Sequence, residues 1–135
     1  GELPEDELYL KRMKKQYRRV DVPIEVDFFY LNEPVQKYEG QRPFFPIMIL
    51  AVERENELIV YQDLISPDEM DAIPDCMMTL FQNLEALPTE IWIQRDELRS
   101  QLEPLASILD IKLKHLPKLT LMSEVKTELF SLRHD

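Results

Sequence analysis

The stretch Val22-Pro-Ile-Glu-Val-Asp-Phe-Phe-Tyr-Leu31 is apolar on both sides of a pleated strand, apart from Glu25 and Asp27. This pattern is typical of a central strand covered on both faces, because a strand with one solvated face alternates apolar and polar residues. Asp27 is the exceptional residue, since aspartate is depleted in strands and is seldom buried without a partner. We therefore predict a central strand over about 24–31.

Two further strands follow this one. The segment 44–53 is almost unbroken in apolar residues, and a short polar turn separates it from a third strand over about 58–64. The two segments predict a hairpin, with the first strand antiparallel beside it. Pro46 is expected near the start of the second strand or at a bulge, because proline cannot donate to the hydrogen-bond ladder. Phe44 and Phe45 are expected within that buried strand.

Helices and strands alternate in the second half of the chain. Ser66, Pro67 and Glu69 are typical of a helix start with a capping box. Pro74 leaves two alternatives open: the helix kinks there, or a short turn ends and the main helix begins at Pro74. This helix is expected to reach about residue 86, and a short strand over 90–94 follows it.

The last third contains two more helices and one more strand. Asp96 is a candidate N-cap for a helix that Pro104 is expected to kink or divide. The alternation over 111–116 predicts an edge strand with Lys112 and Lys114 pointing outward. A final helix is predicted over about 120–132.

The order of these elements is β-β-β-α-β-α-β-α, after an N-terminal helix over about 4–19. Crossovers of this length make the last two strands parallel to a neighbour. The sequence thus predicts an α/β (α+β) domain with a five-stranded mixed sheet of order 3-2-1-4-5, flanked by helices. This order of elements resembles the ribonuclease-H-like superfold from about 24 to 132.

Three short segments carry a second resemblance. Val-Asp-Phe-Phe-Tyr-Leu at 26–31, Arg-Pro-Phe-Phe-Pro at 42–46 and Ile-Gln-Arg-Asp-Glu-Leu at 93–98 are similar to an uncharacterised family of bacterial domains of unknown function. The resemblance implies a bacterial source. It implies no activity, because that family has none assigned.

The length of 135 residues predicts one domain, with an N-terminal helix in 1–21 and a core in 22–135. The chain begins Gly1-Glu2 without Met, so we expect a segment cut from a longer protein. Cys76 is the single cysteine, which favours a reducing, cytoplasmic setting. No apolar run approaches the ~20 residues of a membrane span, so no membrane association is expected.

Charge is distributed unevenly along the chain. The 16 basic and 26 acidic residues give a net charge of −10. Residues 1–20 contain six basic and four acidic side chains (+2), so residues 21–135 carry −12. An acidic balance disfavours nucleic acid as a partner. The basic side chains of the first helix leave two interpretations open, a nucleic-acid-binding surface or a solvated helix face: Lys11, Lys14, Lys15, Arg18 and Arg19.

The resemblance to the ribonuclease-H-like superfold implies the positions at which metal-binding carboxylates would lie. Active members hold two divalent metals with carboxylates from the first strand, the following helix, the end of the fourth strand and often the last helix. Asp27 and Asp96 match the two strand positions, and the superfold would use them to hold Mg²⁺ or Mn²⁺. Glu124 or Glu128 would serve from the last helix. Nothing selects one acid in the intervening helix: Glu69, Asp71, Asp75 or Glu85.

Both strand carboxylates also have structural interpretations. Asp96 is explained sufficiently as an N-cap. Asp27 could accept from a backbone donor or pair with an arginine such as Arg95, as buried charges generally must.

Other chemistries are disfavoured. His115 and His134 lack metal-ligand spacing, and Cys76 lies on a helical stretch, where a buried, inert thiol is expected. Only two glycines are present, which excludes a glycine-rich phosphate loop. Trp92 is expected in the core.

The leading hypothesis is a non-catalytic module that binds a protein partner or a neighbouring domain, without a cofactor. One alternative is a divalent-metal-dependent nuclease or phosphoryl-transfer enzyme that uses Asp27 and Asp96. The other is nucleic-acid binding through the N-terminal helix.

Overall fold

The computed structural model describes residues 3–134, with side chains from 7 to 131; Gly1 lies outside this range. The helices are α1 (Leu3–Gln16), α2 (Ile73–Leu84), α3 (Asp96–Leu109) and α4 (Thr120–His134). The strands are β1 (Arg18–Val20), β2 (Ile24–Tyr30), β3 (Ile47–Glu53), β4 (Leu58–Ile65), β5 (Ala86–Pro88), β6 (Glu90–Ile93) and β7 (Lys112–His115). A 3₁₀ turn over Pro67–Ala72 precedes α2.

Five strands form one mixed sheet in the order β4-β3-β2-β6-β7. β2 lies in the centre, antiparallel to β3 and parallel to β6, and β7 is parallel to β6. The predicted order, with the first long strand in the middle, is confirmed. The reason is the one visible in the sequence: only a central strand has both faces of its pleat covered.

The two faces of β2 contact different helices. Ile24, Val26 and Phe28 belong to the main core, which includes side chains of α1, α2 and α3. The alternate residue Phe29 belongs to a second core cluster formed with α4. Glu25 also faces α4, where it contacts the backbone of Met122. Because successive side chains of a strand point to opposite faces, Asp27 lies on this side as well.

β2 and α4 run side by side in a matched register. Glu25 contacts Met122, Asp27 contacts Lys126, and the rings of Phe29 and Phe130 meet edge to face with centroids 5.4 Å apart. Two residues of a strand rise ~6.6 Å and four residues of a helix rise ~6 Å, so the two distances are nearly equal. Each residue of β2 that faces α4 therefore meets one residue from each successive turn of the helix.

Several local predictions are wrong or are decided by the structure. The first helix ends at Gln16, and β1 pairs in parallel with β5, a small two-stranded sheet that the sequence pattern did not indicate. The helix predicted to reach residue 86 ends at Leu84, where Glu85 takes a left-handed conformation with φ of 50°. The Ser66 capping box is present on the 3₁₀ turn, and α2 begins afterwards at Ile73, close to the second alternative for Pro74.

Two further differences concern the second strand and the third helix. β3 begins after Pro46, so Phe44 and Phe45 both precede the strand, contrary to the prediction. Phe44 is half-buried and Phe45 is 55% exposed. Pro104 lies inside α3 without dividing it.

Candidate functional site: two buried carboxylates on β2

Glu25 is fully buried and has a partner for each carboxylate oxygen. Oε1 accepts a 2.8 Å hydrogen bond from the backbone N–H of Met122, and Oε2 pairs with the guanidinium of Arg54. Met122 lies in the first turn of α4, where backbone N–H groups have no partner within the helix. A carboxylate is favourable at this end of a helix because the helix dipole is positive there. Glu25 therefore fastens the start of α4 to the centre of the sheet.

Asp27 is 3% exposed and contacts two cationic side chains. Oδ2 accepts from Lys126 Nζ, and Arg95 Nε lies 3.3 Å from Oδ1. Arg95 Nε donates instead to the carbonyl oxygen of Phe28 at 3.0 Å, and the guanidinium lies 4.4 Å from the centre of the Phe28 ring. Oδ1 consequently faces a positive charge but receives no hydrogen bond from the residues that the structure describes.

The positions of Arg95 and Lys126 in the chain explain why both lie beside Asp27. Arg95 follows β6 by two residues, and β6 pairs with β2, so this arginine lies beside the carboxyl half of β2. Lys126 lies one helical turn after Met122, which Glu25 already holds. The expectation that Asp27 pairs with an arginine such as Arg95 is confirmed. Lys126 was missed; the available signal was the four-residue spacing of positions 122, 126 and 130.

Asp96 lies in a different environment from Asp27. It is the first residue of α3, its side chain is 85% exposed, and its Oδ1 lies 3.3 Å from His115 Nε2. The N-cap position belongs to Arg95, which makes no side-chain capping bond. The prediction that Asp96 caps this helix is therefore wrong, because the extended residue that precedes α3 is one position earlier.

The carboxylates considered on α4 point away from β2. Glu124 and Glu128 are exposed, and Glu124 lies in a surface groove with Arg54 and Thr120. A step of two residues turns a helix by about 200°, so the residue between Met122 and Lys126 lies on the opposite side. Within residues 7–131, no group of three His, Cys, Asp or Glu side chains is arranged to hold a metal ion.

The basic side chains that left two interpretations open are partly used within the protein, and Arg18 and Arg19 lie on β1 instead of the N-terminal helix. Arg19 donates to the carbonyl oxygens of Leu109 and Asp110, at the end of α3, where cations are favourable. Lys11 forms an exposed ion pair with Glu7 at 3.6 Å. The remaining basic side chains of the predicted set are exposed: Lys14, Lys15 and Arg18.

The other singled-out side chains have structural roles. Cys76 is buried, as predicted, and burial raises the pKa of its thiol. Burial likewise raises the pKa of Tyr61, whose hydroxyl donates to Asp63 Oδ2 at 3.4 Å. Trp92 is partly buried between the cations of Arg54 and Lys114, at 4.6 and 5.5 Å from its ring centre. The side chain of His134 lies outside the described range.

No helix within residues 3–134 has the length and apolar character needed to span a membrane.

The fold places the chain in a structural class. It superposes on the catalytic core domain of BIV integrase with a TM-score of 0.55 and 16% identity, covering 78% of this chain and 62% of that one. A chain of the simian T-cell lymphotropic virus intasome, solved in complex with the PP2A regulatory subunit B56 gamma, gives a TM-score of 0.62 at 12% identity, with coverages of 86% and 42%. This chain therefore spans less than two thirds of either structure. Together with the sheet order, these matches define a ribonuclease-H-like fold.

The family can be stated more narrowly. Residues 9–130 match the family described as a domain of unknown function, DUF6930, and the chain belongs to that family. The predicted resemblance to an uncharacterised domain family with ribonuclease-H-like topology is thereby confirmed. The search of curated proteins found no match to this sequence.

Proposed function

We propose that this domain is a non-catalytic protein-interaction module on a ribonuclease-H-like scaffold. The observation that carries the proposal is the environment of Asp27. This carboxylate occupies the first-strand position that active members of the superfold use for metal, and here Lys126 and Arg95 neutralise it. Asp27 on β2 thus connects α4, through Lys126, with Arg95, the second residue after β6.

The donor set around Asp27 does not fit a pair of divalent metals. Mg²⁺ and Mn²⁺ prefer several oxygen ligands, so a two-metal centre draws on carboxylates from neighbouring elements. The neighbouring elements here supply an ammonium and a guanidinium, which repel a divalent cation over a distance of a few ångströms. Lys126 stands on the helix where the superfold often supplies a further carboxylate.

The alternative is a divalent-metal-dependent nuclease or phosphoryl-transfer enzyme that uses Asp27, Asp96 and Glu124. It draws support from the likeness to the catalytic core domain of BIV integrase. That likeness concerns the fold, and one fold hosts both active and inactive sites. Metal ligation by these three residues remains a prediction.

Isothermal titration with Mn²⁺ and a hydrolysis assay distinguish the two functions. We expect no binding heat at millimolar Mn²⁺ and no cleavage of single- or double-stranded DNA or RNA in Mg²⁺ or Mn²⁺. The variants for comparison are Asp27→Asn and Glu103→Gln, the latter an exposed carboxylate on α3. Cleavage that Asp27→Asn abolishes and Glu103→Gln preserves would overturn the proposal in favour of the nuclease.

The proposal also includes the cellular location and the kind of organism. A cytoplasmic location in a bacterium is supported by the single buried thiol of Cys76, which a reducing compartment preserves, and by the sequence resemblance.

A further inference from the structure

The two edges of the sheet differ in how they are protected. β7 is four residues long and carries Lys112 and Lys114, the kind of short, charged edge that resists pairing with another chain. β4 is eight residues long, reads Leu-Ile-Val-Tyr-Gln-Asp-Leu-Ile and contains no lysine, arginine or proline. Within residues 3–134, no strand pairs with its outer side. β4 therefore has an open edge, on which the backbone N–H of Leu64 is bonded to Asp63 Oδ1 at 2.8 Å and would have to exchange this partner for an added strand.

Apolar side chains are exposed at the start of this edge. Leu58 is 57% and Ile59 is 40% exposed. The register with β3 shifts between the Ala51–Tyr61 and Val52–Ile59 pairs, which leaves Val60 as a bulge. A shallow concavity follows the strand here, lined by Ile59–Gln62 and by Asn83 of α2. The regular run available for a further strand is therefore Tyr61–Ile65, with an apolar surface next to it.

The acidic residues in the sequence around β4 indicate that a partner segment would be basic. Residues 55–94 contain no lysine or arginine and nine acidic residues. They are Glu55, Glu57, Asp63, Asp68, Glu69, Asp71, Asp75, Glu85 and Glu90. Asp63 lies on β4 itself and is exposed. Glu90 lies on β6 beside Lys114 and Glu69 lies 3.9 Å from Lys37, so the acidic side chains nearest to β4 in sequence are Glu55, Glu57 and Asp63. These attract a basic segment, and the net charge of −10 opposes pairing with a second copy of this chain.

We propose that the edge of β4 binds an extended, basic segment of a partner protein by strand addition. Backbone hydrogen bonds to β4 would supply affinity, while alternate side chains of the segment reach the concavity and the acidic surface. This inference rests on the proposed function and names its surface and its class of partner.

The probe is an eight-residue peptide that alternates valine and lysine, labelled for fluorescence anisotropy. Its controls are a peptide that alternates valine and glutamate and a valine–lysine peptide with a central proline, which cannot complete the ladder. We expect only the first peptide to bind. We also expect it to slow amide hydrogen exchange in β4 and to leave β7 unchanged.

A matched pair of variants locates the site. Gln62→Lys adds a positive charge on β4, and Ser100→Lys adds the same charge on the exposed side of α3. We expect Gln62→Lys to weaken peptide binding by about tenfold, and Ser100→Lys to change it by less than about twofold. Both variants should unfold at the same urea concentration as the parent.

The outcomes separate this inference from the proposed function. Equal binding of all three peptides, protection outside β4, or equal effects of the two lysine variants would overturn the β4 site. Dimerisation through β4, detected by sedimentation, would replace the basic partner with a second copy. None of these results would restore a metal site at Asp27. Metal-dependent cleavage would overturn the proposed function whatever the peptides do.

Discussion

Glu25 and Asp27 are two residues apart on the same strand, face the same helix and are both buried, yet their carboxylates are not satisfied equally. Glu25 holds one charged partner and one backbone donor, so each of its oxygens is bonded. Asp27 holds two cations, and its Oδ1 still receives no hydrogen bond within the described residues. Glu25 bonds a backbone N–H in the first turn of α4, which has no partner within the helix. The charge of Asp27 is neutralised, but one of its oxygens lacks a hydrogen bond within the described residues.

Burial alone therefore does not distinguish the two carboxylates. Both acids on β2 contact α4 and connect this helix to the sheet. Arg54 is the counterion of Glu25 among the side chains described, and removing it leaves Glu25 a buried charge without that partner. Removing one cation of Asp27 leaves the other. We therefore expect the two sites to differ in how strongly they respond to loss of a cation.

Arg54→Met should have the largest effect on stability. The change keeps most of the side-chain volume and leaves Glu25 buried without its counterion, at a cost of about 3 kcal/mol in the free energy of unfolding. Urea unfolding followed by circular dichroism measures it. Arg99→Met, on the exposed surface of α3, is the control and should change stability by less than about 0.5 kcal/mol. Equal midpoints for these two variants would show that the Glu25 pair contributes nothing.

Lys126→Met should have a smaller effect. Arg95 remains 3.3 Å from Asp27, so the carboxylate keeps one neutralising charge, and we expect a loss of about 1–2 kcal/mol. Lys118→Met, at an exposed position before α4, provides the comparison in the same urea experiment. A loss that matches or exceeds that of Arg54→Met would reverse the ranking of the two carboxylates.

Glu90→Gln should have the smallest effect, and this effect should disappear in acid. Trp92 Nε1 donates to Glu90 at 2.7 Å and Lys114 lies 3.4 Å away; the Trp92 bond in particular holds the pKa of Glu90 below its ordinary 4.5. The ionised carboxylate therefore contributes stability above pH 4.5, and this contribution is lost as the pH falls further.

The variant should consequently lose less stability than the parent between about pH 6 and pH 3, by under ~1 kcal/mol because the pair is partly exposed. Unfolding free energies at the two pH values measure this, with Glu103→Gln as control. A larger acid sensitivity in Glu90→Gln would contradict the assignment. Glu90, whose side chain is 27% exposed, thus provides a half-buried comparison for the two buried carboxylates of β2.

Much of the fold could be predicted because it depends on patterns within single elements. The apolar run around Asp27 indicated a central strand, and the lysines of β7 indicated an edge. The small β1–β5 sheet could not be predicted, because three-residue strands carry too little pattern and Arg18–Val20 continues the helical spacing of α1. The N-cap of α3 was misplaced by one residue, since Arg95 and Asp96 are both compatible with a helix start.

The features of the candidate site likewise divide into those that the sequence predicted and those that only the structure revealed. By itself, the sequence determined that the chain forms a five-stranded sheet with the order of a ribonuclease-H-like fold. It also determined that Asp27 lies on the central strand, where it needs a backbone donor or a cation such as Arg95, because these follow from periodicity and from the cost of burying charge. Only the tertiary structure decided that Lys126 faces Asp27 and that Met122 is bonded by Glu25. The physical reason is that these contacts depend on the register between α4 and β2, which is set by packing between segments far apart in the chain.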